Sequence, residues 1–343
     1  MKRRLALSLI LLLLLAGCAT NNKVTNTNGI DKLQADGEKV YVGFALDTLK
    51  ESRWYRDKEN VENKVKELGG NIKTLAANGN QDVQIEQVKL LINEGIDILI
   101  IVPSDSKTAN KAVQLAHDAG VKVIAYDRLI MDAPLDYYIS FDNEKVGEIQ
   151  AQITLDQVSE GNIAYIGGSK ADNNALFFRE GAMNILQPLI DSGDINLVYD
   201  KYTENWSKEI AEKNLRGFLN NNNISIDGII AANDTLAGAA VNVIGQNTDI
   251  PISGQDAELS AIHRILAGTQ TGTVYKPIDT LANQAATLAM DIANGNTIST
   301  ETTTNNGSKD VPSILLEPVR INRDNIEETI IESGHFTKEE VYQ

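Results

Sequence analysis

The chain has little of what covalent chemistry needs. Of its 343 residues one is Cys and three are His. A single Cys permits no intrachain disulfide and no Cys-based metal site. His117, His263 and His335 stand far apart, show no metal-ligand spacing, and none follows a predicted strand. They are read as surface residues, and no metal is expected. No Gly-x-Ser-x-Gly elbow, Asp-rich calcium loop or P-loop occurs in the sequence. Asp127 and Asp256 could form a glycosidase pair, but each has candidate cationic partners. The reading is therefore of a chain with no catalytic residue and no cofactor. Cations are short as well: 31 Lys and Arg against 47 Asp and Glu leave a net charge of −16. Neutralising phosphates takes clustered Lys and Arg, so nucleic acid is excluded as a partner.

Aromatics make up only 5% of residues, and there are two tryptophans. Both stand among polar groups, Trp54 in Ser52-Arg53-Trp54-Tyr55-Arg56-Asp57 and Trp206 in Thr203-Glu204-Asn205-Trp206-Ser207-Lys208. A flat ring flanked by donors and acceptors suits a sugar, since it covers a C–H face while its neighbours bind hydroxyls. Taken singly, each tryptophan also fits a partly buried surface position.

At the N-terminus, Lys2, Arg3 and Arg4 precede the apolar run Leu5 to Leu15, which is too short for a stable membrane span. Leu15-Ala16-Gly17-Cys18 follows and resembles a bacterial lipobox, which makes Cys18 the expected lipid attachment point. The next stretch is polar and rich in Asn and Thr, and reads as a tether. Some 18 residues of such chain reach roughly 20–25 Å.

From residue 38 short β-branched runs alternate with helical patterns. Strands are expected at 40–46, 72–76, 96–102 and 121–126, with helices at 53–68, 81–94 and 106–119. The rhythm repeats after about residue 142. Strands are then expected at 162–166, 195–199, 226–231 and 250–253, with helices at 173–190, 207–220, 234–245 and 258–266. An Ala-rich helix over 278–294 and a polar loop over 295–312 complete the pattern. Continuous apolar strands separated by helices indicate parallel sheets covered on both faces. The fold class is therefore α/β, in two doubly wound lobes.

In such sheets ligands bind beyond the carboxyl ends of the strands. The polar residues there are Asp47, Asn78, Ser104, Asp105, Asp127, Arg128, Asp172, Asn173, Asn174, Asn233, Asp234, Gln255 and Asp256. Ser104, Asp105, Asn173 and Asp234 equally fit plain helix caps. Carboxylates accept from hydroxyls, Arg and Lys donate, and Asn does both, so the set suits a neutral polyol. Gly167-Gly168-Ser169 is a weak phosphate-loop candidate, lacking the Lys-Ser/Thr pair.

Several segments together resemble periplasmic pentose-binding proteins: Gly43-Phe44-Ala45-Leu46-Asp47 through Arg53-Trp54, Ala76-Ala77-Asn78-Gly79-Asn80, Tyr126-Asp127-Arg128, Asp172-Asn173-Asn174-Ala175, Ala232-Asn233-Asp234, Gly254-Gln255-Asp256-Ala257 and Val274-Tyr275-Lys276-Pro277. The nearest resemblance is to the D-xylose-binding proteins of ABC sugar importers, over about residues 39–335. It implies a type I solute-binding fold, two Rossmann-like lobes on a three-segment hinge near 141–143, 273–277 and 311–314. It divides the chain into a signal peptide (1–17), lipidated Cys and tether (18–37), a first lobe (38–141 with 277–311) and a second (142–276 with 312–343). It further implies sugar contacts at Arg53, Trp54, Asp127, Arg128, Asp172, Asn174, Trp206, Asn233, Asp256 and Lys276. The implied role is a lipid-anchored extracytoplasmic monomer that carries a monosaccharide to an ABC permease. D-xylose is the first expectation. Arabinose, ribose, glucose or galactose, or a chemoreceptor-coupled sensor, are the alternatives.

Overall fold

The structure, a computed structural model, describes residues 37–343 apart from 246–248 and 301. The expected signal peptide, Cys18 and all but the end of the tether lie outside the described residues. The first stretch runs β1 (Tyr41–Leu46), α1 (Ser52–Glu67), β2 (Asn71–Ala76), α2 (Gln81–Asn93), β3 (Ile98–Ile101), α3 (Asn110–Asp118), β4 (Lys122–Tyr126) and β5 (Tyr137–Phe141). The second runs α4 (Asn143–Leu155), β6 (Gly161–Gly167), α5 (Asn173–Ser192), β7 (Ile195–Tyr202), α6 (Lys208–Asn221), β8 (Gly228–Ala231), α7 (Asp234–Ile244), β9 (Ile252–Ser253), α8 (Leu259–Ala267) and β10 (Thr273–Tyr275). The chain then returns through α9 (Ile278–Ala293), β11 (Thr302–Asn305) and β12 (Asp310–Leu316), and ends with β13 (Val319–Ile321), a π-helical turn (Glu327–Ile331) and α10 (Lys338–Val341).

Two sheets result. The first has the order β11-β12-β5-β4-β3-β1-β2 and the second β7-β6-β8-β9, while β10 and β13 pair as a separate ribbon. All pairs in the two sheets are parallel except β11 with β12. Both lobes therefore wind outward from their first strand, and the strand order reverses between β1 and β3 and between β6 and β8. Each reversal opens a crevice at the carboxyl ends of the strands.

The apolar runs explain the layers. In β3, Leu99 and Ile101 face the core formed with α2 and α3, while Ile98 and Ile100 face the one formed with α1 and α9. Both faces are buried, so the strand shows no apolar–polar alternation. In the second lobe α4 and α5 pack closely because two glycines leave room. A Cβ on Gly147 would lie 2.0 Å from the Phe178 carbonyl oxygen, and one on Gly181 1.8 Å from that of Glu144.

Two readings of the sequence change. Residues 295–312 are not a loop throughout: Thr302–Asn305 and Asp310–Leu316 form an antiparallel hairpin. The segment looked like loop because Thr302, Thr303 and Asn305 lie exposed on an edge strand. The third crossing also falls later than 311–314. Ser313 to Leu316 pair with Tyr138 to Phe141, so residues 312–316 belong to the first sheet and the chain leaves it only after Leu316.

The glycine contacts yield a paired prediction. Gly181→Ala drives a methyl into the α4 backbone and is expected to cost about 1–3 kcal/mol. Gly217→Ala, in α6 with nothing within 4 Å of its Cβ position, is expected to gain about 0.5–1 kcal/mol. Urea unfolding of both variants checks the pair, and equal effects would refute the packing account.

Candidate functional site: the interlobe cleft

The cleft between the lobes is lined by Glu51, Arg53, Trp54, Asp127, Arg128, Asp172, Asn174, Phe178, Trp206, Asn233, Gln255, Asp256 and Lys276. All ten expected contact residues meet here. Each arrives by a local device. Arg53 and Trp54 ride on the first turn of α1, just past β1. Asp127 follows β4 in the left-handed region, at φ 62°. Asp256 follows β9 at φ 94°, with Ala257 at φ 49° behind it. Non-glycine residues occupy this region at a cost, and such strain persists where surrounding contacts hold it. Behind Asp256 that support is a buried carboxylate. Asp234 accepts from Gln270 Nε2 at 2.8 Å, Thr273 Oγ1 at 2.9 Å and the Glu258 amide at 3.0 Å.

Asp172 and Asn233 each serve twice. Asp172 caps α5 by accepting from the Asn174 amide, and Asn233 caps α7 by accepting from the Leu236 amide. The caps expected at Asn173 and Asp234 thus fall one residue earlier. Asp172 and Asn233 have the extended backbone of a cap, while Asn173 and Asp234 open the helices.

Trp206 is aimed by two successive left-handed residues, Asn205 at φ 53° and Trp206 itself at φ 54°. Its ring lies flat on Gly168, where a Cβ would come within 2.1 Å of the indole. Gly167-Gly168-Ser169 is thus a seat for an aromatic ring rather than a phosphate loop. The buried Trp206 Nε1 and Gln255 Oε1 have no hydrogen-bond partner. Trp54 is 3% exposed and carries two guanidiniums, Arg53 at 4.4 Å and Arg128 at 5.2 Å from its ring centre.

Charge in the cleft is dense and paired. Arg53 reaches Asp127 at 2.7 Å, Asp57 at 3.3 Å and Asp256 at 3.4 Å. Lys276 holds Asp256 at 2.8 Å. Arg128 bonds Asp47 at 2.7 Å, and its Nε lies 2.9 Å from Asp172, misaligned for a hydrogen bond. Asn174 Nδ2 donates to the Asp127 carbonyl at 3.0 Å and to its carboxylate at 3.2 Å. Burial pushes the Asp127 carboxyl up, but Arg53, Lys276 and Arg128 outweigh it and hold the group below the usual carboxylate range. Asp172 goes the other way, because burial outweighs Arg128. Asp57, beneath Arg53 and bonded by the Tyr126 hydroxyl, is pushed up to about 6, chiefly by burial. Asp127 and Asp256 both lie against Arg53, and the cations around Asp127 hold it ionised, which does not suit a general acid.

Several of these contacts span the cleft. Arg53 with Asp256, Arg128 with Asp172, and Asp127 with Asn174 join one lobe to the other, and the Ser106 amide donates to the Ala171 carbonyl at 2.8 Å. The lobes are closed on one another. A further contact lies outside the cavity. Arg56 Nη1 donates to the His335 carbonyl at 2.9 Å, and its guanidinium covers Phe336 at 4.5 Å.

His335 is therefore not a plain surface residue. It is packed between Tyr275 and Phe336, with ring centres at 4.8 and 4.5 Å. His117, half-buried, pairs with Asp136 at 2.7 Å, and His263 Nε2 lies 2.8 Å from the Glu340 carbonyl oxygen. The expected contact set lacked Glu51, Phe178 and Gln255. Gln255 was visible as a strand-end residue beside Asp256. Phe178 lies one helical turn after Asn174, a spacing that could have pointed to it.

These features define a class, the bilobal solute-binding proteins of α/β type, which close on a ligand at the carboxyl ends of two parallel sheets. Over residues 42–297 the chain matches the family described as periplasmic binding protein domain, and it belongs to that family. The D-xylose-binding periplasmic protein of Escherichia coli (strain K12) is 44% identical, over 91% of this chain and 96% of that protein. The multiple sugar-binding periplasmic receptor of Rhizobium radiobacter is 34% identical, over 89% and 93%. A carbohydrate transporter solute-binding protein from Chloroflexus aurantiacus, solved with D-glucose, superposes with a TM-score of 0.82 at 32% identity, covering 88% of this chain and 98% of that one. These relatives are binding proteins, and this chain is not an enzyme.

His335 gives a pH prediction. Burial, then the Arg56 charge, lower it to about 4, while the Ala257 carbonyl, Asp279 and Asp256 favour its protonated form. A histidine with a depressed folded-state value stabilises the fold above its ordinary value, and the stability is lost as pH falls through 6.5 towards 4. Between pH 7 and 4.5 the loss is expected to be about 2 kcal/mol. Denaturant unfolding should show a shallower loss over that range in His335→Gln. An identical slope would remove His335 as the cause.

Proposed function

We propose that the cleft binds a neutral monosaccharide, D-xylose as first choice, and that the closed complex delivers it to an ABC permease outside the cytoplasm. One observation carries the reading: every cation lining the cavity is already paired with a carboxylate. A phosphate or carboxylate ligand would meet no unpaired cation among the residues lining the cavity. A polyol both donates and accepts, so it can add to these pairs without leaving a charge unmatched. Hydrogen bonds to charged groups contribute about 1.5–3 kcal/mol each. The unpartnered Trp206 Nε1 and Gln255 Oε1 offer a further donor and acceptor.

Within this reading Arg53, Asp127, Arg128, Asp172, Asn174, Asn233, Asp256 and Lys276 bind hydroxyls. Trp54 and Trp206 cover the ring faces from opposite lobes. The likeness to the E. coli xylose-binding protein supports a pentose. A hexose is the second reading, supported by the glucose-bound Chloroflexus structure and a β-D-glucose-bound relative from Clostridium phytofermentans, the latter at a TM-score of 0.83 and 28% identity. The lobes act as a monomer tethered through a lipid on Cys18, a reading supported by the lipobox-like Leu15-Ala16-Gly17-Cys18.

Titration calorimetry with a panel of pentoses and hexoses tests the ligand. The tightest binding is expected for D-xylose, and no binding by any neutral sugar would end the proposal. Trp206→Ala is expected to cost about 1–3 kcal/mol of binding through lost packing. Wild-type affinity in that variant would refute stacking. Fatty-acid labelling of cells should mark the wild-type protein but not Cys18→Ala, and equal labelling would refute the anchor.

A further inference from the structure

We infer that Phe178 is the wall that limits the site to five-carbon rings. The inference rests on the pentose reading above. A pentopyranose presents a rim of four hydroxyl-bearing carbons, a ring oxygen and one bare methylene. A hexopyranose differs by a CH₂OH in place of a hydrogen on that methylene carbon. The cavity lining has a matching asymmetry. Of its thirteen side chains ten carry hydrogen-bonding groups of Asp, Glu, Asn, Gln, Arg or Lys, and two are the tryptophans. Phe178 alone has no polar atom. The bare methylene is the one rim position that forms no conventional hydrogen bond, so it belongs against the one side chain that offers none. Any other placement would leave a polar side chain facing a C–H edge and a hydroxyl facing the phenyl ring.

Size exclusion also requires a wall that cannot retreat. Phe178 is 1% exposed, and the edge of its ring meets Trp206 at 6.5 Å between centres and 66° between planes. Lys276 Nζ lies 5.8 Å from the ring. The backbone is pinned too, because its carbonyl oxygen lies 2.0 Å from where a Cβ on Gly147 would stand. The ring belongs to the second-lobe core and its helix packs closely on α4, so an added CH₂OH meets a surface held in place from behind. Rejection by such a clash adds to selectivity without any new attractive contact.

The experiment measures D-xylose and D-glucose affinities, two sugars that differ only in that CH₂OH, for the wild type, Phe178→Ala and Phe178→Leu. Phe178→Leu shortens the wall while keeping an apolar core residue, and serves if the Ala variant fails to fold. The wild type is expected to prefer xylose by at least tenfold. Either variant is expected to shift the glucose-to-xylose affinity ratio towards glucose by at least tenfold. An unchanged ratio in a folded variant that binds both sugars overturns the role of Phe178 and leaves the proposed function standing. A wild type that binds glucose as tightly as xylose overturns it in the same way. A wild type that binds neither sugar overturns both.

Discussion

The Arg53 guanidinium, held by three carboxylates at once, is the contact on which the rest of the cleft depends. Asp57 approaches it from the same helix, Asp127 from the end of β4, and Asp256 from the other lobe. A charge this deeply buried is costly unless its partners are in place. Asp57 and Asp127 belong to the first lobe and hold Arg53 whether or not the lobes meet. Asp256 does not, and is itself held by Lys276, just past β10. Lobe closure therefore completes a charge network that each lobe carries only in part. Arg128 repeats the scheme, with Asp47 on its own lobe and Asp172 opposite. In these two networks every cation already has a carboxylate partner, so an anionic ligand would find no unmatched positive charge in the cavity.

The same constraint accounts for the unusual backbone. Asp127, Trp206 and Asp256 all adopt left-handed conformations that residues with side chains seldom use. Each is backed by contacts that lie outside the cavity. The Asp127 carbonyl accepts from Ser140 Oγ at 2.6 Å and Tyr138 Oη at 3.1 Å. Trp206 rests on Gly168, and the turn bearing Asp256 is anchored through Asp234. The strain is local and its support comes from the lobe cores. Such an arrangement presents the side chains ready-placed and lowers the ordering cost of binding.

Much of this was legible in order along the chain. Strand ends could be read because buried β-branched runs stop sharply, and parallel sheets bring their carboxyl ends together. That one rule collected Asp127, Arg128, Asp172, Asn174, Asn233 and Asp256. It missed Phe178, which sits inside a helix one turn beyond Asn174, where a rule about strand ends does not reach. It could not show that Asp57, four residues after Arg53, would lie buried beneath the guanidinium rather than on a solvated helix face. The hairpin at 302–316 was hidden because an edge strand with exposed threonines has the composition of a loop.

By itself the sequence determined the alternation of strands and helices, the two lobes, the polar strand ends and the scarcity of catalytic and metal-binding groups. These follow from patterns spanning a few residues, such as apolar runs, caps and stop signals. The tertiary structure alone decided which charge meets which, what each tryptophan ring rests on and where the third crossing falls. Arg53 and Asp256 are 203 positions apart, and no local pattern encodes a pairing at that distance. The two tryptophans show the division plainly. Their polar neighbours marked them out in the sequence, but only packing set the Trp206 ring on Gly168 and put two guanidiniums on Trp54.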